Sequence, residues 1–396
     1  MRHTLDRPKN WPTDTAGTPI DRIAERGWSL LRDFATPICS LAESDLAHNL
    51  ATVAEWCRAA GVELAPHGKT TMSPELIRRQ LEHGAWAITA ATPRQAERMV
   101  DWGVRRIVLA NVCADPRPLA ELLARDVEVL TFVDSVESVR LTAAAVPSRS
   151  RLPVLIEVGA PGGRCGVRDV PTGLALATAV AREPSLDLVG VAAFEGTVTG
   201  RDADTVAAVR THIDVVRRLA RGLADVHAFA PDRPVLLSAG GSMYPDLVLD
   251  GLRTDLGRES QILLRSGCSV IHDHGLYAES ARGPAVRPAL RVWSRVLSVP
   301  EPDWAIIDAG KRDLTVDPPA RVLSVRREAG APRALDLLVD HHNDQHGYVR
   351  CGGADLRVGD ILELGISHPC LTFDRWTHVP LVDDELRVVG AVRTCF

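Results

Sequence analysis

An apolar run near the start of the chain ends in Ala65-Pro66-His67-Gly68-Lys69-Thr70. If the run is a strand of an α/β protein, Lys69 stands at its carboxyl end, where barrel active sites gather. A lysine there is partly desolvated and is a usable amine nucleophile. Far along the chain, Ser367-His368-Pro369-Cys370 sets an imidazole and a thiol two residues apart. In an extended strand those side chains leave on the same side, and both suit a borderline-soft metal such as Zn²⁺. Two protein ligands would leave coordination positions for substrate oxygens and water. Taken singly, each motif has a plainer reading: a solvated loop lysine, and a buried cysteine beside a surface histidine.

Three glycine-dense stretches follow apolar runs. Ile156-Glu157-Val158-Gly159-Ala160-Pro161-Gly162-Gly163-Arg164-Cys165-Gly166 carries an arginine able to donate to a phenolate or carboxylate, on a backbone that glycine lets approach a ligand. Ser238-Ala239-Gly240-Gly241-Ser242 and Leu264-Arg265-Ser266-Gly267-Cys268 offer backbone N–H groups and a hydroxyl suited to phosphate. Loops at two consecutive late strands match the usual phosphate site of a (β/α)8 barrel. His341-His342-Asn343-Asp344-Gln345-His346-Gly347 supplies further ligands, supporting groups or simply a polar loop.

The elements that must position these residues are legible as a rhythm. Apolar runs at 37–41, 62–66, 85–91, 106–110, 127–133, 154–158, 188–194, 235–239 and 262–270 are mostly followed by helical patterns. Ser73-Pro74-Glu75 predicts a capped helix start, with the helix ending near Gly84, and Thr92-Pro93-Arg94-Gln95 predicts a capping box. Strands buried on both faces and separated by helices make a parallel sheet. Eight or nine such units favour a closed barrel over an open doubly wound sheet, and no strand leads into a Gly-x-Gly-x-x-Gly turn. After about residue 286 the text turns into short β-rich runs broken by Pro, Gly and Asp, which predicts an antiparallel β domain. The expected division is an N-terminal segment at 1–35 packing on the β domain, a barrel at 36–285 and the β domain at 286–396. A helix is expected within 20–32.

Composition excludes several function classes. The net charge of -5, with no basic block, argues against nucleic acid as a partner. No apolar run is long enough to span a bilayer, and the polar N-terminus lacks a signal-peptide core, so a cytoplasmic protein is expected. The 8 cysteines are scattered without a Cys-x-x-Cys pair, which predicts reduced, mostly buried thiols.

Taken together, the motifs resemble the fold-type III pyridoxal-phosphate family, in its D-serine dehydratase-like and D-threonine aldolase-like branch. The resemblance runs from about residue 36 to 396. It rests on Pro66-His67-Gly68-Lys69-Thr70 with Ser73-Pro74-Glu75-Leu76, on Ala305-Ile306-Ile307-Asp308-Ala309-Gly310-Lys311, on Asp344-Gln345-His346-Gly347 and on His368-Pro369-Cys370. It implies an alanine-racemase-like barrel with a C-terminal β domain, and Lys69 as the lysine that holds pyridoxal 5'-phosphate. It further implies Arg164 near the cofactor's phenolic oxygen, Gly240, Gly241, Ser242, Gly267 and Cys268 as the phosphate cradle, and Arg265 facing the pyridine nitrogen. His368 and Cys370 match the metal pair of the dehydratase branch. The aldolase branch usually carries aspartate at the second position, which favours a dehydratase and zinc over another divalent cation such as Mn²⁺. The family also implies a homodimer.

Three departures lie near the substrate: Gln345 in place of the second member of an acidic pair, Ser269 in place of an aromatic residue, and Glu195-Gly196-Thr197 in place of Cys-Gly-Asn or Asp-Gly-His. The expected reaction converts a D-β-hydroxy amino acid such as D-serine or D-threonine to a 2-oxo acid and ammonia. The alternatives are a D-threonine-type aldolase, giving glycine and an aldehyde, and a non-catalytic pyridoxal-phosphate carrier. A racemase needs a base on each substrate face, and none of Tyr244, Tyr277 and Tyr348 matches the racemase tyrosine.

Overall fold

The structure, a computed structural model, describes residues 4–396 apart from 199, 201, 281, 328 and 329. Eight parallel strands form one sheet: Glu63–Leu64, Ile88–Ala90, Arg106–Val112, Glu128–Val133, Leu152–Val158, Leu186–Ala193, Val235–Ala239 and Ser260–Leu264. The last strand pairs with the first, Glu63 opposite Leu263. The first reaches the second through Trp86 N–H to Leu64 O at 2.8 Å and Thr89 N–H to Pro66 O at 2.9 Å. The sheet is therefore a closed barrel. Its interior is filled by a small apolar cluster including Val108, Leu130, Phe132, Leu155, Val189 and Leu236. Helices alternate with the strands, and their apolar faces form a larger cluster with the outward-facing strand residues.

The helix starts arise from local chemistry. Ser73 Oγ accepts from Leu76 N–H at 3.4 Å with Pro74 at the first helical position, and the helix Pro74–Glu82 is followed by Gly84 at φ +90°. Thr92 Oγ1 caps Gln95 N–H at 3.2 Å, but Gln95 Oε1 accepts from Ala91 N–H at 3.0 Å. The predicted return bond to Thr92 thus falls one residue earlier.

The second sheet corrects one expectation. By its apolar run alone, 37–41 opens the barrel rhythm. The strand there, Ile38–Ala42, instead pairs antiparallel with Leu290–Glu301, Ile38 opposite Trp293, and parallel with His378–Val382. Trp293 Nε1–H donates to Ser40 Oγ at 2.9 Å and fixes that register. A short buried strand states that it is covered on both faces; which sheet covers it is set by partners about 250 residues away.

Within the second domain, Leu290–Glu301, Trp304–Ile307, Gly347–Arg350, Arg333–His342, Arg321–Arg326 and Ile361–Gly365 pair in a ring, antiparallel throughout. The expected N-terminal helix is a 3-10 turn, Ile20–Arg26, and a short α-helix, Leu30–Asp33, separated by Gly27 at φ +63°. Trp11, Ile23, Trp28, Leu30 and Phe34 from this segment join the apolar cluster of the second domain. No helix among the described residues is long and apolar enough to cross a membrane.

Candidate active site

The loop leaving the first barrel strand carries the lysine. After Glu63–Leu64 the chain passes through Ala65-Pro66-His67 into a single 3-10 turn, Gly68–Thr70. Gly68 admits no side chain: a Cβ there would meet Met99 Cε at 2.5 Å and Ile88 Cγ2 at 3.0 Å. Close packing under the turn thus delivers Lys69, half-buried, to a cavity of ≈ 590 Å³ at the carboxyl ends of the strands. His67 lines the same cavity, its Nδ1 buried without a hydrogen-bond partner. Burial, then the charges of Arg265, Lys69 and Arg164, hold its pKa well below the usual histidine range, so it is a neutral imidazole.

The second domain adds His368 and Cys370 to this cavity. They do not reach it by strand alternation, which corrects the expected extended geometry. Pro369 sits at φ -74° and ψ -29°, and Cys370 opens the short helix Cys370–Phe373. The φ that a proline ring fixes suits this turn.

Cys268, on the loop after Ser260–Leu264, brings a third donor to the same place. The ligand atoms of Cys268, His368 and Cys370 lie within 4.8 Å of one another, and the two sulfurs are 3.7 Å apart. Thr70 Oγ1 lies 3.7 Å from each sulfur. The bond with Cys268, reinforced by His368, drives the Cys370 pKa well below the usual thiol range; the same bond and burial drive Cys268 up. His368 is raised, first by its bond with Cys370. Cys370 is thus the more acidic of the two thiols. Two sulfurs and one imidazole are a donor set that fits Zn²⁺.

The residues expected around a pyridoxal ring and phosphate divide into two groups. Lys69, Arg164, Ser242, Arg265, Gly267 and Cys268 all line the cavity. Arg164 lies over the Phe194 ring, 4.5 Å from its centroid. Its loop folds back on its own strand through Val167 N–H to Glu157 O at 2.8 Å, and Gly166 N–H ties it to Asp134 Oδ2, after the neighbouring strand, at 2.9 Å. A Cβ on Gly159 would strike Arg168 and the Cys165 carbonyl, so that glycine serves the loop's own fold rather than a ligand's approach. Arg265 is 3% exposed; its Nε donates to Ser238 Oγ at 2.9 Å and its Nη2 to Ala193 O. Burial pushes it down to about 10, against the opposing pull of Glu157 and Glu195, and it remains a cation at neutral pH. A Cβ on Gly267 would lie 2.6 Å from His67 Cβ, so the backbone there must pass close beneath the lysine turn.

Gly240 and Gly241 are the exception. Their N–H groups donate to the two carboxylate oxygens of Glu195 at 3.0 and 2.6 Å, and neither residue lines the cavity. Glu195 is 1% exposed, and burial raises its pKa. Both amides are thus engaged by a side chain of the protein itself.

Sequence reasoning passed over Glu157, Asn111, Phe194 and Tyr277, all of which line the cavity. Glu157 had a signal: it is the one charged residue in the strand Leu152–Val158. It is 8% exposed, with Oε2 unpartnered and its pKa raised by burial. Tyr277 had none; its ring stands 5.8 Å from that of His368. The histidines at 341–346 stand apart from the cavity. His341 stacks on Tyr348 at 3.9 Å, and His342 is buried at the end of its strand.

The family model "Alanine racemase, N-terminal domain" matches residues 42–253, and "Putative serine dehydratase domain" matches 289–382. The chain is 29% identical to a D-threonine aldolase of Arthrobacter sp. over 361 residues, 88% of this chain and 89% of that one. It is 25% identical to a 3-hydroxy-D-aspartate aldolase of Paracoccus denitrificans (strain Pd 1222) over 359 residues, 85% of each chain. The structure of a D-threo-3-hydroxyaspartate dehydratase from Delftia sp. shares the fold at a TM-score of 0.73, with 22% identity, over 93% of this chain and 100% of that one. The first of the two family models spans more than half of the chain, and with the lysine turn, the barrel and the β domain in place, the chain belongs to the fold-type III pyridoxal-phosphate family of alanine-racemase fold.

Proposed function

We propose that the protein is a pyridoxal-phosphate lyase that uses a divalent metal to eliminate the β-hydroxyl of a D-β-hydroxy amino acid, giving a 2-oxo acid and ammonia. The observation that carries this reading is the shared cavity: the amine of Lys69 and the donors His368 and Cys370 line the same ≈ 590 Å³ space. The two relatives named above, a D-threonine aldolase and a 3-hydroxy-D-aspartate aldolase by name, support the substrate class.

The residues fit both groups. Lys69 would hold the cofactor covalently, Ser242, Gly267 and the backbone of Cys268 would serve its phosphate, and Arg164 and Arg265 would serve its ring. His368 and Cys370 would hold zinc. When bound, pyridoxal phosphate supplies an electron sink for charge at the substrate α-carbon, and the metal a Lewis acid for the β-hydroxyl oxygen. Lys69 Nζ is the amine able to take the α-proton. Arg265, fixed by Ser238 and Ala193, keeps a positive charge in the cavity wall. Phe194 stacks on the Arg164 guanidinium. Hydroxide is a poor leaving group, so a hydroxylated substrate and a metal account for one another.

The second reading, cleavage of the Cα–Cβ bond to glycine and an aldehyde, is favoured by the names of both curated relatives. One experiment separates them. The purified holoenzyme is given D-serine, D-threonine and D-3-hydroxyaspartate, with and without EDTA, and 2-oxo acid, ammonia, glycine and aldehyde are assayed. Elimination predicts 2-oxo acid and ammonia in equal amounts, lost with EDTA and restored by Zn²⁺. Glycine with an aldehyde selects the aldolase. Turnover that survives complete metal removal contradicts the metal's role in either.

A further inference from the structure

We infer that Cys268 is a third protein ligand, so that the metal centre is a Cys2His site with a single open position. The inference deepens the proposed function and rests on its metal. Cys268 belongs by sequence to the loop after the last barrel strand, and the resemblance assigns that position to the phosphate cradle. Its backbone can serve there, because an N–H and a side chain point in different directions from one residue. Its thiol stands 3.7 Å from that of Cys370.

Three observations place it in the centre. The ligand atoms of Cys268, His368 and Cys370 are mutually within 4.8 Å. The Sγ to Sγ distance of 3.7 Å is what tetrahedral coordination requires, since two sulfurs each about 2.3 Å from zinc stand about 3.8 Å apart. Cys268 is buried, and its thiol meets the polar side chains of Cys370, Thr70 (Oγ1 at 3.7 Å) and Tyr277.

Two consequences follow. Two thiolates cancel the charge of a divalent ion, and sulfur donors select zinc over Mn²⁺ or Mg²⁺. Three protein ligands leave one position for the substrate hydroxyl, the arrangement of catalytic zinc sites. The donors also come from both domains, Cys268 from the barrel and the other two from the β domain, so the ion ties the two together at the cavity.

The test is X-ray absorption at the zinc edge of the zinc-loaded holoenzyme, with competition against a chromophoric chelator for affinity. The wild-type protein is expected to show two sulfur scatterers per zinc, and Cys268→Ser one, with zinc affinity lower by tenfold or more. One sulfur per zinc in the wild-type protein overturns the inference and leaves a His368–Cys370 metal standing. A wild-type protein that binds no stoichiometric zinc overturns both this inference and the metal of the proposed function. The wild-type count does not depend on any variant folding.

Discussion

Lys69→Ala removes the amine that would bind the cofactor and move the α-proton. General-base removal costs about 10²–10⁴-fold, and loss of the covalent link adds to it. Turnover should therefore fall by at least about 10³-fold, and borohydride reduction should no longer fix the cofactor to the peptide containing residue 69. Lys69→Ala with near-normal turnover would remove it from the mechanism. At this scale the sequence was informative wherever residue type and spacing sufficed. Lys69, Arg164, Arg265, His368 and Cys370 all line one cavity. It was silent where side-chain direction decides. Nothing in Arg265-Ser266-Gly267-Cys268 says that the last thiol turns toward Cys370, and nothing near Tyr277 says that its ring faces His368.

Between elements, the tie that matters is Glu195. It joins the loop after Leu186–Ala193 to the loop after Val235–Ala239 by accepting two N–H bonds. Glu195→Ala strands both donors in a buried place, at about 1–3 kcal/mol each. The expected loss is about 2–6 kcal/mol of unfolding free energy by urea titration, with Glu195→Gln losing less because one acceptor remains. An unchanged midpoint would mean that water serves the two amides equally well. Gly267→Ala should act differently. Its Cβ would press on His67 Cβ from 2.6 Å and on His67 O from 2.6 Å, pushing apart the loops beneath Lys69. Cofactor affinity should drop by about tenfold or more, with a stability loss of about 1–3 kcal/mol typical of overpacking. Helix starts were readable because caps are made within four residues, as at Ser73 and Thr92. The strand Ile38–Ala42 was assigned to the wrong sheet because its partners, Leu290–Glu301 and His378–Val382, are remote in sequence.

For the whole molecule, buried neutral histidines set the acid limit. Burial, with His341 and Lys311 nearby, lowers His342 from 6.5 to about 4. As pH falls through 6.5 the unfolded chain takes up this proton first, because the folded state resists it until about pH 4. Stability present above pH 6.5 is therefore lost progressively down to about pH 4, by about 3 kcal/mol from this one group. His274, lowered by burial to about 2, acts in the same sense. Urea midpoints at pH 7.5, 6 and 5 should decline, and His342→Leu should flatten the slope. A flat profile for the unmodified protein would show these histidines to be protonated in place.

The shared cavity depends on both domains, and it can be observed directly. Crystals of the cofactor-loaded, zinc-loaded enzyme would be measured above and below the zinc edge. Continuous density from Lys69 Nζ to the cofactor and an anomalous peak at His368 and Cys370 in the same cavity are expected. A cofactor bound away from Lys69, or zinc held elsewhere, would contradict it.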